Sequence, residues 1–500
     1  LRRLSTVQDL FVDDETKNLS QRTLRGGAIT LSAQLVKLLI NLGVLAVLAR
    51  VLTPGDFGLV AMATVFLGFS AHIKDFGLST ATLQSQTITH QQVSALFCLN
   101  VMLSAILACV FALLAPVLAA FYETPALERI VPTLSLGILA SGLGAQHIAL
   151  LRRRMDFLVV SIAEVGGLLT GGIIGIALAL NGMGVWALVT MQVTQPFVVA
   201  TIAFLFCPWL PGWPKMDAGS FKMLRFGGNL TLFNLVNYVT RNADDALVGR
   251  YVGDNALGAY SRAYGLLMLP LRQLSRPIAA VTIPALSRLQ DDATSFRSYF
   301  LKSVEVIALA TMPTVVVMLI LADEIILLVM GPQWSTVALL FKLFALLAFF
   351  QSIPIASSWT MIALGRADRM LKWGVLQMLI AVPVFALGLV WGTAGVAAAA
   401  SVMGLIMMGP ALAYALHGSP VTFADVLNAI RVPLLFSISL MAVLWVFEYL
   451  LQDLFFVYRI VAVSGIALMQ FAITCIIVPR LRQDLVQFLA IMARKPETKG

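Results

Sequence analysis

Residues 26–58 read GGAITLSAQLVKLLINLGVLAVLARVLTPGDFG, and residues 226–258 read FGGNLTLFNLVNYVTRNADDALVGRYVGDNALG. Set against each other at an offset of 200 with no gap, Gly27, Leu35, Val36, Ala46, Arg50 and Gly58 coincide with Gly227, Leu235, Val236, Ala246, Arg250 and Gly258. Both stretches are long apolar runs that close on a matching segment, AVLAR and ALVGR, before a turn that contains glycine. Further along, NGMGVWALV (181–189) is echoed by WGTAGVAAA (391–399), each between two apolar runs. The chain therefore reads as two copies of one unit. Each copy holds six spans, an even number, so both enter from the same side, and the expected symmetry is a pseudo-two-fold along a membrane normal.

The rest of the sequence agrees with a membrane solvent. Of 500 residues, 59% are hydrophobic and 12% are charged, about half the charged fraction of ordinary soluble domains, and mean hydropathy is +0.91. So much apolar surface cannot all be hidden from water, which excludes a soluble globular protein; disorder and a disulfide scaffold are excluded as well. The four cysteines, Cys98, Cys109, Cys207 and Cys475, form no CxxC pair and lie in or beside apolar segments, where they read as small buried hydrophobes. His72, His90, His147 and His417 lack ligand spacing, so neither a metal nor another cofactor is expected. No cleavable leader is visible in residues 1–25, and the first apolar run is read as an uncleaved helix.

Fourteen runs are long enough to span, at roughly 26–49, 57–83, 91–120, 126–150, 157–180, 184–206, 219–250, 256–289, 295–329, 335–363, 369–391, 394–416, 424–451 and 457–478. Placing the N-terminus in the cytoplasm puts 23 of the 34 Lys and Arg on that side. Only Arg50, Arg129, Arg250 and Arg459 fall opposite. The bias sets both termini in the cytoplasm, and the net charge of +9 is read as loop charge of this kind, not as a nucleic-acid footprint. The expected fold is an all-α polytopic membrane protein with 14 transmembrane helices. A cytoplasmic arm (1–25) precedes a first six-helix lobe (26–207). A linker (208–218), a second lobe (219–416), two further helices (417–478) and a cytoplasmic tail (479–500) follow.

Charged groups inside a bilayer are costly and usually face a wet cavity or a partner. At 100° per residue, Asn234, Asn237, Arg241, Asp244 and Asp245 share one face of the seventh span. Gln34, Lys37 and Asn41 repeat the stripe on the first. On the eighth span Arg262, Arg272 and Arg276 share a face, and Pro270, Pro277 and Pro284 recur every seven residues. His72, Lys74 and Asp75 lie at comparable depth on the second span. The functional reading is a basic cavity for an anion, since guanidinium forks suit phosphate or pyrophosphate. The bland reading is mutual neutralisation, to which the spacing of Arg241 from Asp244 and Asp245 is well suited. Asp244 and Asp245 are the candidates for coupling to a proton or sodium ion; Glu164 and Glu305 could serve too, although such residues more often pair with a neighbouring base. Gly166, Gly167, Gly171, Gly172 and Gly175 read as a seam for close helix packing.

Several stretches are similar to a known family: ARVLTPGDFGLVAMA (49–63), DFGLSTATLQ (75–84), LLRRRMDF (150–157), GVWALV (184–189), residues 224–270, PALSRLQDD (284–292), GPQW (331–334) and ALGRAD (363–368). They resemble the Wzx-type polysaccharide flippases of the multidrug/oligosaccharidyl-lipid/polysaccharide exporter superfamily, in particular the colanic-acid and exopolysaccharide exporters. The resemblance implies two six-helix lobes around a cationic cavity. It also implies translocation of undecaprenyl-diphosphate-linked oligosaccharide across the bacterial inner membrane, for exopolysaccharide or O-antigen (lipopolysaccharide) synthesis. The implied partners are that lipid-linked substrate, membrane lipids, and a polymerase and chain-length regulator of the same pathway. Arg272 and Arg276 match cavity arginines of the related lipid II flippases, whereas Lys37 and Lys74 stand where arginines occur, which makes lipid II the less fitting substrate. Arg272, Arg276 and Arg262, aided by Lys37 and Arg241, are expected to hold the pyrophosphate, and Asn234, Asn237, Gln34 and Asn41 the sugar hydroxyls. The rival readings are a cation-coupled multidrug exporter of the same fold, disfavoured by the arginines, and a polymerase or glycosyltransferase, disfavoured by the short loops.

Overall fold

In the computed structural model the described residues are 19–73, 82, 88–213, 235–236, 238–451 and 455–477. All regular structure among them is helical. The chain divides into two compact units, residues 1–258 and 259–500. Both expose large apolar side chains, among them Leu113 (79% exposed) and Leu205 in the first and Ile476 (74%) in the second. Water would penalise these surfaces, whereas acyl chains solvate them.

The first unit contains α1 (Leu19–Val51), α2 (Pro54–Ile73), α3 (His90–Tyr122), α4 (Leu127–Arg153), α5 (Phe157–Leu180) and α6 (Val185–Phe206). It also contains α7, described over 238–251, and the first turn of α8 (Asp254–Arg288). Local sequence sets the starts. Thr53 and Asp56 exchange hydrogen bonds at the head of α2. Thr89 and Gln92 close a capping box on α3, and Asp156 accepts from Val159 N on α5. Each supplies an acceptor to amides that lack an intrahelical partner. Proline lies inside α3, α4 and α6 at Pro116, Pro132 and Pro196.

Packing in this unit pairs α3 with α4, α4 with α6, α5 with α6, and α1 with α5. The glycine seam does what its composition suggests. A Cβ on Gly167, Gly171 or Gly175 of α5 would meet the carbonyl oxygens of Gln195 (2.8 Å), Met191 (2.8 Å) and Ala187 (3.2 Å) of α6. Three glycines at four-residue steps thus admit three facing main-chain turns, the close approach that membrane helices use in place of a hydrophobic driving force. Val44 of α1 fills the space left by Gly172.

The second unit contains the remainder of α8, then α9 (Ala293–Ile320), α10 (Ala322–Val329), α11 (Ser335–Phe350), α12 (Ser352–Ala363), α13 (Ala367–Gly388), α14 (Gly392–Leu416), α15 (Phe423–Leu451) and α16 (Phe456–Ile477). Two of the expected spans are interrupted. Residues 295–329 break at Leu321 into α9 and α10, and residues 335–363 break at Gln351 into α11 and α12. The pairings repeat those of the first unit. Helix α9 packs on α11 and α12, these pack on α14, and α13 packs on α14. Helix α15 lies against α9. Gly182 and Gly392, the matched turn glycines, both have positive φ (75° and 64°), a conformation that costs glycine nothing.

The described parts of the predicted spans are helical apart from the breaks at Leu321 and Gln351. Ten stretches there are long and apolar enough to cross a bilayer, one of them the joined pair 367–416. Helix α2 is a shorter apolar stretch at Pro54–Ser70, and α8 carries Arg262, Arg272 and Arg276 in its middle.

Candidate functional site

Polar side chains inside these helices collect in three places. The first is in the first unit, where α1 lies on α5. Lys37 Nζ donates to Glu164 Oε2 at 2.5 Å, and Arg152 Nη2, at the end of α4, donates to Glu164 Oε1 at 3.0 Å. Lys37 and Glu164 are each 29% exposed. Beside them is a cavity of about 330 Å³, lined by Thr30, Gln34, Lys37, Arg152, Ser161 and Glu164, with Ala33, Phe157 and Val160 completing the wall. The predicted residues Gln34 and Lys37 thus share one cavity, and Asn41 is exposed further along the same helix.

The second is α7, which belongs to the first unit. Tyr238 Oη lies 3.1 Å from Thr64 O and 2.9 Å from Val65 O, tying α7 to α2. Arg250 pairs with Glu123 at 2.8 Å. Arg241 is exposed and makes no ion pair among the described residues, so the local pairing suited to its spacing is not formed. Asp244 and Asp245 are half-buried, and both are engaged in polar or electrostatic interactions. Asn234, Asn237 and Lys74 lie outside the described residues, as does the side chain of His72.

The third is α8 in the second unit. Leu271, Ser275, Ile278 and Thr282 are buried, and Arg272 and Arg276 lie exposed about a third of a turn round the helix from them. Neither makes a hydrogen bond or ion pair among the described residues. The two are one turn apart, about 6 Å of rise, so both guanidinium groups can reach one diphosphate. Arg262 is half-buried, is engaged elsewhere, and lies about 15 Å of rise below Arg272; Pro270 falls between them. Arginine at the centre of a membrane helix costs roughly 3 kcal/mol when it faces lipid. Two exposed arginines on one turn therefore call for water or an anion beside them.

The part that the sequence reading missed is the partner of Lys37. Glu164 reads there as a coupling group or as a partner for some base, and Arg152 is given no role. The available signal was charge balance: Lys37 is the lone cation in the middle of the first span and Glu164 the lone acid of the fifth, and buried charges seek each other. No cluster of three metal-ligating side chains occurs among the described residues.

The same architecture is known elsewhere. The lipopolysaccharide biosynthesis protein WzxC of Escherichia coli (strain K12) is 24% identical over 379 residues, which are 74% of this chain and 76% of the relative. An uncharacterized membrane protein in the cps region of Klebsiella pneumoniae is 23% identical over 460 residues, 90% of this chain and 94% of the relative. Among solved structures, the lipid II flippase MurJ in an inward closed conformation superposes with a TM-score of 0.71 at 15% identity. That match covers 90% of this chain and 99% of the flippase, and it shows a common fold. A family model described as polysaccharide biosynthesis protein matches residues 47–339. That stretch is more than half of the sequence, and the chain belongs to the polysaccharide biosynthesis protein family.

Proposed function

We propose that this protein is a flippase for undecaprenyl-diphosphate-linked oligosaccharide, acting in the bacterial inner membrane in exopolysaccharide or O-antigen synthesis. The observation that carries the proposal is the pair Arg272 and Arg276, exposed on a proline-punctuated membrane helix and without a carboxylate partner among the described residues. The family assignment and the names of the relatives supply the pathway; the arginines supply the chemistry. A diphosphate carries its charge on the lipid side of the glycan. A paired guanidinium site therefore reads the one feature common to every prenyl-linked repeat unit, whatever its sugars.

In this reading fourteen spans leave both termini in the cytoplasm, and the halves 26–207 and 219–416 are the symmetric bodies. Arg272 and Arg276 hold the pyrophosphate. Arg241, Arg262, Lys37 and Lys74 add positive potential, and Gln34, Asn41, Asn234 and Asn237 hydrogen-bond sugar hydroxyls. The prenyl tail remains in the bilayer, so transport needs no covalent step, only a change of which side the site opens to, driven by the different affinities of the two states. Asp244 and Asp245 are the groups through which an ion could couple. A polymerase and a chain-length regulator act next on the product.

The test is a deletion strain analysed by mass spectrometry of prenyl-linked glycans. A flippase predicts repeat units that accumulate on the cytoplasmic face, with unchanged susceptibility to cationic drugs. Unpolymerised units accumulating outside would instead point to a polymerase, and drug hypersensitivity to a drug exporter.

A further inference from the structure

The cavity between α1 and α5 has a feature that its role as a sugar-binding wall leaves unused. Two cations, Lys37 and Arg152, converge on a single carboxylate, Glu164, at 2.5 and 3.0 Å. The site is therefore one positive charge in excess, and it is a cavity of about 330 Å³ beside that charge. This is the small end of the range for small-molecule pockets, a size that suits a phosphate-bearing headgroup. Gln34 and Ser161 on its wall make no hydrogen bond among the described residues.

We propose that this cavity is a second anion site, which Glu164 occupies as a resident stand-in and which a phosphate or diphosphate group enters by displacing it. The cations are of the two kinds that phosphate recognition uses: a planar guanidinium that can engage two oxygens and a compact ammonium that acts as a point charge. Glu164 already supplies oxygens to both of them. A phosphate offers the same geometry with more charge and more acceptors, and it can also accept from Gln34 and Ser161. Displacement is the physical consequence of one anion position between two cations: the carboxylate and the phosphate cannot both occupy it, because like charges at that separation repel. Glu164 thereby sets a threshold. Weak anions do not displace it, and in the empty carrier it offsets one of the two positive charges. The identity of the natural anion rests on the flippase reading, whereas the binding itself does not.

The test uses the full-length protein purified in detergent, in an Arg272→Ala, Arg276→Ala background that removes the α8 pair, with inorganic pyrophosphate and farnesyl diphosphate as separate titrants. Glu164→Gln, a near-isosteric change, is expected to tighten binding about tenfold, and adding Lys37→Gln is expected to erase the gain. Farnesyl diphosphate binding at least tenfold tighter than pyrophosphate assigns the site to a lipid headgroup; equal affinity assigns it to the free anion; both support the site. In protein that keeps Glu164, pyrophosphate is expected to raise carbodiimide labelling of Glu164 several-fold, a readout that does not depend on a variant folding. Unchanged or weakened binding in Glu164→Gln, or labelling unmoved at saturating pyrophosphate, overturns the proposal. Neither readout involves export, so failure here leaves the flippase reading standing. Tight pyrophosphate binding by a protein whose deletion leaves export intact removes only that reading.

Discussion

Gly58 and Gly258, 200 residues apart, meet main chain to main chain. A Cβ on Gly58 would run into the carbonyl oxygen of Asp254, and a Cβ on Gly258 into the carbonyl oxygen of Pro54 and to within 3.0 Å of Gly58 N. Pro54 and Asp254 are themselves 200 apart and begin α2 and α8. Each glycine thus abuts the residue 200 positions from the one that the other abuts. A main-chain carbonyl cannot move aside as a flexible side chain can. Gly58→Ala and Gly258→Ala are therefore each expected to destabilise by about 3 kcal/mol, the upper end of overpacking costs. Gly265→Ala, with open space around it on α8, is the control and is expected to be neutral or slightly stabilising. Melting followed by size-exclusion chromatography checks this; equal melting temperatures for all three would remove the contact from the account.

Arg272 and Arg276 are exposed and carry no partner among the described residues, so alanine at either leaves no buried charge behind. The expected outcome is protein of normal abundance and melting temperature whose polymer export falls at least tenfold, with partial rescue by lysine. Lysine keeps the charge and loses the fork. Normal export by a well-expressed Arg272→Ala variant would take Arg272 out of the site.

Arg459 on α16 donates to Glu324 on α10 at 2.7 Å and to Glu448 on α15 at 2.9 Å. Glu324 is only 7% exposed, so Arg459→Met strands a buried carboxylate. The expected loss is about 3 kcal/mol, because breaking a buried pair on one side is costly while replacing the whole set by neutral groups is not. The double variant Arg459→Met, Glu324→Gln should recover most of the lost melting temperature. A single variant as stable as the parent would show that the triad does not hold the last two helices in place.

Asp292 caps α9 by accepting from Thr294 N at 3.1 Å and Ser295 N at 3.0 Å. Hydrogen bonds from the Ser295 side chain and main chain hold its carboxyl below the usual carboxylate range. A depressed folded-state value stabilises above the unfolded value of about 3.9 and is lost as pH falls through the folded one. The cap should therefore be intact throughout pH 5–8 and fray only in acid. Hydrogen exchange at Thr294 and Ser295, corrected for intrinsic rates, is expected to be flat over pH 5–8, faster in Asp292→Ala, and near parental in Asp292→Asn. A step in exchange near neutral pH would contradict this assignment.

The helices were readable because each is decided by its own residues. An apolar run of about 20 residues must satisfy its backbone internally once in lipid, and that requirement does not depend on any neighbour. The glycine seam of α5 was readable for a similar reason, since small residues along one face of a membrane helix favour close approach. The breaks at Leu321 and Gln351 were not readable. Neither position carries proline or glycine, and both lie inside apolar runs whose hydropathy is unaffected by a one-residue turn.

What the sequence determined by itself is thus the membrane solvent, the positions of the spans, the offset of 200 and the presence of arginines on one face of α8. All of these follow from residues close in the chain, through helical periodicity and the cost of polar groups in hydrocarbon. What only the tertiary structure decided is which charges are neutralised. Lys37 and Glu164 are separated by 127 positions and Arg297 and Asp425 by 128, and no local period links them. Such pairs form where two helices cross, and the crossing is set by packing over the whole unit. Tertiary packing left Arg272 and Arg276 without a partner among the described residues and closed Lys37 onto a carboxylate, although in the sequence both look like cations in apolar helices.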